Sequence, residues 1–103
     1  MDTNQLKKAI KNGRIEWQKH SLERMMERGI TREEVKRVLL EGELIENYRE
    51  DKPFESGLFL GWIDGKPLHT VASIDSRSDC CFIITVYKPD LKHFEQDYRT
   101  RKK

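Results

Sequence analysis

A chain of 103 residues can bury one hydrophobic core with little left for a second, so a single domain spanning 1–103 is expected. Charged residues make up 37% of it, but aromatic and β-branched residues fall in dense clusters, which excludes a disordered polyampholyte. The net charge is only +2, and no apolar run approaches the roughly 20 residues of a membrane helix, so the reading excludes a helical membrane protein and expects a cytoplasmic one.

Charge is unevenly spread. Residues 1–28 carry seven basic and four acidic side chains, residues 29–56 five and eight, and residues 57–103 eight and six. If the chain ends meet, a basic face stands beside an acidic shoulder, an arrangement that attracts and orients a polyanion.

Residues 3–12 read as a short helix. Thr3 or Asn4 stands as its N-cap, Leu6 and Ile10 give a narrow apolar stripe, and Asn12-Gly13 ends it. Residues 14–17 are a connector, helical or extended. Residues 19–28 form a helix with Leu22, Met25 and Met26 on one side and Gly29 as its stop. Thr31 opens the next helix with a capping box to Glu34; Val35, Val38 and Leu39 are its buried stripe, and Gly42 ends it.

The period then changes. Residues 43–49 have strand character, and residues 50–56 are a loop marked by Pro53. Asp64-Gly65 between the apolar runs 58–63 and 66–74 predicts a two-residue hairpin, with Ile63 opposite Lys66, Trp62 opposite Pro67 and Leu60 opposite His69. Residues 75–80 are a polar loop. Residues 81–88 form an almost uninterrupted, central strand that Pro89 stops. The charged tail carries Phe94 and Tyr98 four apart, a spacing that predicts a docked helical turn. The pattern gives an α+β fold: N-terminal helices packed on a three- to four-stranded antiparallel sheet, with a core at about 14–98.

Cys80 and Cys81 are neighbours, so in a strand they face opposite ways and suit neither a disulfide framework nor a zinc site. Two small, half-buried thiols in a reducing compartment are expected. The sequence holds no GxxxxGK[ST], GxGxxG or HExxH motif, and its three histidines and two cysteines lack metal-ligand spacing. No cofactor and no metal site are expected.

Three groups of residues carry possible chemistry. His20, Arg24 and Arg28 are spaced i, i+4, i+8 and share one helix face. Guanidinium groups suit a pentavalent phosphorus transition state, and an imidazole transfers protons near neutral pH. A solvated basic face paired with Glu23 and Glu27 is the plainer reading. His69 interrupts an apolar strand, on the face of Leu58, Leu60, Trp62 and Val71, and Tyr87 joins that face if the last two strands pair in suitable register. A satisfied core histidine is the plainer reading there. The tail offers Lys88, Lys92, His93, Arg99, Arg101, Lys102 and Lys103 with interleaved aromatics, a combination that suits phosphate and base.

HSLERMMERGITREEV from His20, GLFLGWIDGKPLHTV from Gly57 and ITVYKPD from Ile84 together resemble the bacterial and archaeal family called domain of unknown function 4258. The order of the blocks is the specific feature, and the resemblance runs from about His20 to about Arg101. That family is similar to RelE/ParE-like toxins with the barnase–EndoU–colicin–RelE type of fold, and its genes often neighbour a zinc-finger antitoxin with a helix-turn-helix domain. The resemblance implies a RelE-like fold and a metal-independent endoribonuclease, an mRNA interferase of a toxin–antitoxin pair. RNA, including ribosome-bound mRNA, and an antitoxin are the implied partners. The matching positions are His20, Arg24, Arg28, His69 and Tyr87. On this reading His20 or His69 is the base, Arg24 and Arg28 hold the phosphate, Tyr87 orients or donates a proton, and Arg28, Lys88, Arg99 and Arg101 bind RNA. The sequence departs from the family after His69, where Thr-Val-Ala-Ser-Ile-Asp replaces a strongly apolar run, and this bears on the length of that strand.

Two non-catalytic readings stand beside it. Residues 23–43 resemble a helix-turn-helix reader, although Glu33 and Glu34 at the start of the second helix would face phosphates and oppose major-groove entry. Alternatively, the acidic segment 41–55 and an exposed sheet edge receive a protein partner.

Overall fold

Helix α1 (Thr3–Lys11) is capped by Asp2 rather than by Thr3 or Asn4. The Asp2 backbone is extended, so its carboxylate reaches back and accepts the Gln5 N–H at 3.0 Å. The computed structural model describes all residues, 1–103. After α1 come β1 (Ile15–Trp17), α2 (Lys19–Arg28), α3 (Arg32–Glu41), β2 (Glu43–Tyr48), β3 (Ser56–Ile63), β4 (Lys66–Asp75) and β5 (Cys80–Tyr87). Gly29 ends α2 in the left-handed region (φ 68°), and Thr31 and Glu34 form the expected reciprocal capping box on α3.

The sheet has five strands in the order β1-β5-β4-β3-β2. The expectation of three or four antiparallel strands is corrected by β1, which pairs parallel with β5 and makes the sheet mixed. Three residues are too few to show alternation, and long-range pairing decides their state: the Cys81 N–H donates to the Arg14 carbonyl at 2.9 Å. The β3–β4 hairpin keeps the expected register around Asp64 and Gly65, both at positive φ as a type I′ turn requires. Strand β4 runs its full length to Asp75 despite its polar residues.

Two β-bulges decide which side chains share a face. In β2 the register shifts between Leu44 and Glu46, leaving Ile45 as the extra residue. Glu43 and Glu46 therefore fall on the same face, opposite Leu60 and Leu58. Between β4 and β5, Val71 pairs with Thr85 and Ala72 with Ile83, which leaves Ile84 extra. Cys81, Ile83 and Val86 then face the helices, while Thr85 and Tyr87 turn to the opposite side with His69. Without that bulge Tyr87 would share the face of Ile83.

The helices cover one face of the sheet. Leu6, Ala9 and Ile10 of α1, Met25 of α2 and Val35, Val38 and Leu39 of α3 pack with Phe59, Leu68, Ala72, Cys81, Ile83 and Val86 in one buried cluster. Gly61 lets α3 approach: a Cβ there would lie 2.7 Å from Val38 Cγ2 and 2.9 Å from its Cα. Cys81 is fully buried rather than half-buried, and burial pushes its thiol up to about 12. Helix α2 serves the sheet differently. Strand β1 stops at Trp17 beside Ile83, so the rest of that β5 edge is open. The buried Ser21 hydroxyl donates to the Ile84 carbonyl at 2.8 Å, and Arg28 Nη1 donates to the Val86 carbonyl at 2.7 Å. Side chains of α2 thus complete the edge that β1 leaves unpaired.

Candidate functional site

The second face of the sheet is covered by the C-terminal segment. The Phe94–Tyr98 spacing predicts a helical turn, but residues 90–101 form a looped strap instead. Local polar chemistry outweighs that spacing. The Asp90 carboxylate accepts the Lys92 and His93 N–H groups, and Asp97 accepts those of Arg99 and Thr100. Phe94 and Arg101 close the loop as an antiparallel bridge. Phe94 sits edge-on to the His69 ring with centroids 4.6 Å apart, and Tyr98 meets Trp62 the same way at 6.0 Å. Arg101 grips Glu46 with two bonds of 2.8 and 3.1 Å, and Arg99 pairs with Glu43. Both carboxylates are on this face because of the β2 bulge. Burial pushes the Glu46 carboxyl up, but Arg101 and Tyr48 outweigh it and hold the group below its ordinary range.

Beneath the strap His69 has no solvent exposure, and both ring nitrogens are engaged. Nε2 lies 2.7 Å from the Tyr98 carbonyl, which can only accept, so Nε2 carries a hydrogen. In the neutral ring Nδ1 then accepts, and the Tyr87 hydroxyl 3.2 Å away donates to it. Burial holds His69 below its ordinary value, against the Tyr98 carbonyl and Glu46, and burial raises Tyr87. A group whose folded value is depressed binds its proton more weakly than in the unfolded chain. Stability is therefore fully present above about pH 6.5, the unfolded value, and is lost as pH falls from there through the folded value. Denaturant titrations at pH 7.5 and 5 should show this loss, and His69→Gln should remove the His69 contribution to it.

Beside this pair is an open cleft of about 510 Å³, lined by Arg28, Tyr87, Lys88, Pro89, Asp90, His93, Phe94 and Arg101. Three elements meet there: the C-terminal end of α2, the end of β5 and the strap. Arg28 spends one of its guanidinium donors on Val86 and keeps the others. His93 is exposed, and its Nδ1 lies 2.9 Å from Asp90 Oδ1.

Of the residues singled out from the sequence, the structure gathers Arg28, Tyr87, Lys88 and Arg101 around the cleft, with His69 buried directly behind Tyr87. Arg24 and His20 are exposed on α2 but do not line it. At 1.5 Å per residue, His20 lies about 12 Å back along the helix from Arg28. Arg99 is held at Glu43, outside the lining. Sequence reasoning named His93 only as part of a basic tail. The signal that singles it out is Asp90 three residues earlier, just past Pro89, where an Asx turn folds the imidazole back onto the carboxylate. No three His, Cys, Asp or Glu side chains gather closely enough to hold a metal ion, and no helix is long and apolar enough to cross a membrane.

No curated protein and no solved structure matches the chain. A family model does match over residues 17–88, from the end of β1 to the residue after β5. The match covers α2, α3, the four antiparallel strands, Arg28 and the His69–Tyr87 pair, whereas α1 and the strap lie outside it. With 72 of its 103 residues matched, the chain belongs to the family described as domain of unknown function 4258.

Proposed function

We propose that the chain is a toxin-type endoribonuclease acting in the cytoplasm on RNA phosphodiester bonds, with the cleft at the end of β5 as its active site. One observation carries this reading: a tyrosine hydroxyl backed by a buried imidazole, in a cleft edged by Arg28, Lys88 and Arg101. Arg28 and Lys88, neither of them in an ion pair, supply positive charge where the non-bridging oxygens of a phosphodiester gain negative charge in the transition state, and Arg101, paired with Glu46, adds its unengaged Nη1 donors. The Tyr87–His69 pair supplies a proton. When His69 is protonated, Nδ1–H donates to the Tyr87 oxygen and the phenol hydrogen turns toward the cleft. The phenol then protonates the leaving 5′-oxygen and is refilled from Nδ1, so tyrosine ends unchanged and His69 ends neutral. Arg24 and His20, one and two turns back along α2, extend a basic track for neighbouring phosphates.

The similarity to RelE/ParE-like toxins that the resemblance to the family implies supports the same reading, with an antitoxin as protein partner. Purified protein incubated with single-stranded RNA, with and without ribosomes, is expected to cut internally and leave 2′,3′-cyclic phosphate ends. Activity on free RNA should persist in EDTA, and induced expression should arrest growth. Salt-sensitive RNA binding with no cleavage under either condition would replace this reading with a non-catalytic nucleic-acid-binding domain of the same fold.

A further inference from the structure

The two histidines closest to the cleft are held in opposite tautomers. His69 carries its hydrogen on Nε2, facing the Tyr98 carbonyl, and is sealed from solvent. His93 is the reverse. Its Nδ1 faces Asp90 Oδ1 at 2.9 Å, and a carboxylate can only accept, so Nδ1 carries the hydrogen. The bond from His93 also holds the Asp90 carboxyl below the ordinary carboxylate range, so the acceptor is the ionised form. Nε2 of the neutral ring is left with its lone pair, and the side chain is 71% exposed. The backbone around the ring is fixed as well: the His93 N–H donates to Asp90, and the His93 carbonyl accepts the Lys102 N–H at 3.0 Å. Asp90 takes three donors on one oxygen, from Lys92 N, His93 N and His93 Nδ1, so the carboxylate is fixed against the ring it orients. An imidazole whose tautomer is set by a carboxylate, with its other nitrogen unbonded and its ring in the lining of a cleft that also holds Arg28 and Lys88, is the arrangement a general base needs.

We infer that His93, oriented by Asp90, is the general base that removes the 2′-hydroxyl proton of an RNA substrate bound in this cleft. The inference rests on the ribonuclease reading and completes it by adding the second proton-transfer group. The O2′ proton passes to His93 Nε2 while the O2′ electron pair forms the bond to phosphorus. The P–O5′ bond breaks, its electron pair leaves with O5′, and O5′ takes its proton from the Tyr87–His69 pair. The products are a 2′,3′-cyclic phosphate and a 5′-hydroxyl. His93 ends protonated and His69 neutral, and exchange with water resets both. The ionisable groups that line the cleft with His93 come from three elements: Asp90 and Arg101 from the strap, Arg28 from α2, and Tyr87 and Lys88 from the end of β5.

Two substrates separate this role from a structural one. The first is a single-stranded RNA oligonucleotide of mixed sequence. The second is a ribonucleoside 3′-(4-nitrophenyl phosphate), whose leaving group departs without a proton. Both need the 2′-hydroxyl deprotonated. His93→Gln in the full chain is expected to slow both by about 100-fold or more and to abolish the limb of kcat/KM that rises with pH. Asp90→Asn should slow both by about tenfold or more. Thermal unfolding of His93→Gln should match the parent, because the ring is exposed and its backbone bonds remain. A parent that cleaves both substrates and a His93→Gln variant that keeps its rate and its rising limb would overturn the assignment and leave the nuclease reading standing. A parent that cleaves neither substrate and cuts no RNA on ribosomes overturns the nuclease reading itself, and this inference with it; a parent that cuts only on ribosomes is tested with the same His93→Gln comparison on ribosome-bound mRNA.

Discussion

Phe94→Ala is expected to lower the unfolding free energy by about 3–5 kcal/mol, a large share of the roughly 5–15 kcal/mol available to a small domain. Phe94 is 2% exposed, although the chain around it lies at the protein surface. Its ring contacts the His69 ring on one side, and the Arg101 guanidinium lies 4.9 Å from its centroid. Alanine removes the anchor of the strap and both of these contacts. The two ion pairs that remain, Arg99–Glu43 and Arg101–Glu46, involve half-exposed arginines and contribute at most about 1 kcal/mol each in water. The strap should therefore loosen before the rest of the domain melts. His69, now sealed, should then titrate near its ordinary value, which NMR of its ring protons would register. A cost below about 1 kcal/mol with His69 still protected would mean that the sheet's second face does not depend on this aromatic contact.

The elements with strong local signals were legible from the sequence. The capping box at Thr31, the left-handed stop at Gly29 and the Asp64-Gly65 hairpin each depend on residues within four positions of one another. What the sequence hid depends on pairing at long range. Strand β1 exists because β5 offers it an edge, and nothing in Ile-Glu-Trp announces that. The two bulges are equally silent, since any apolar residue can be the extra one, as Ile45 and Ile84 are here. Yet the bulges set the site. One turns Tyr87 to the face of His69, and the other turns Glu46 toward Arg101. Helical spacing linked His20, Arg24 and Arg28 correctly as a stripe, but only Arg28 reaches the cleft, because β5 ends beside the last turn of α2. The strap departs from a helical turn for a related reason. The Phe94–Tyr98 interval is helical, but the Asp90 and Asp97 carboxylates capture backbone N–H groups and fold the chain into turns.

Tyr87→Phe is expected to slow RNA cleavage by about 10²–10⁴-fold, the range associated with losing a positioned acid. At about 1.36 kcal/mol per decade this is about 3–5 kcal/mol of transition-state stabilisation. The fold should survive. One 3.2 Å hydrogen bond is lost, and the buried His69 nitrogen left without a partner costs about 1–3 kcal/mol. The 4-nitrophenyl ester then distinguishes chemistry from damage. Nitrophenolate leaves without a proton, so a variant lacking only the acid should cleave that ester nearly as fast as the parent, while a distorted cleft would fail on both substrates. The pH dependence follows from the same pair. The competent acid is His69 in its protonated form, whose population falls as pH rises through the burial-depressed folded value. Cleavage of RNA by the parent should therefore fall off at high pH, where that form is depleted, and Tyr87→Phe should remove this falling limb. Equal losses on RNA and ester, with the falling limb intact, would show that the phenol positions the phosphate and that the leaving oxygen takes its proton from elsewhere.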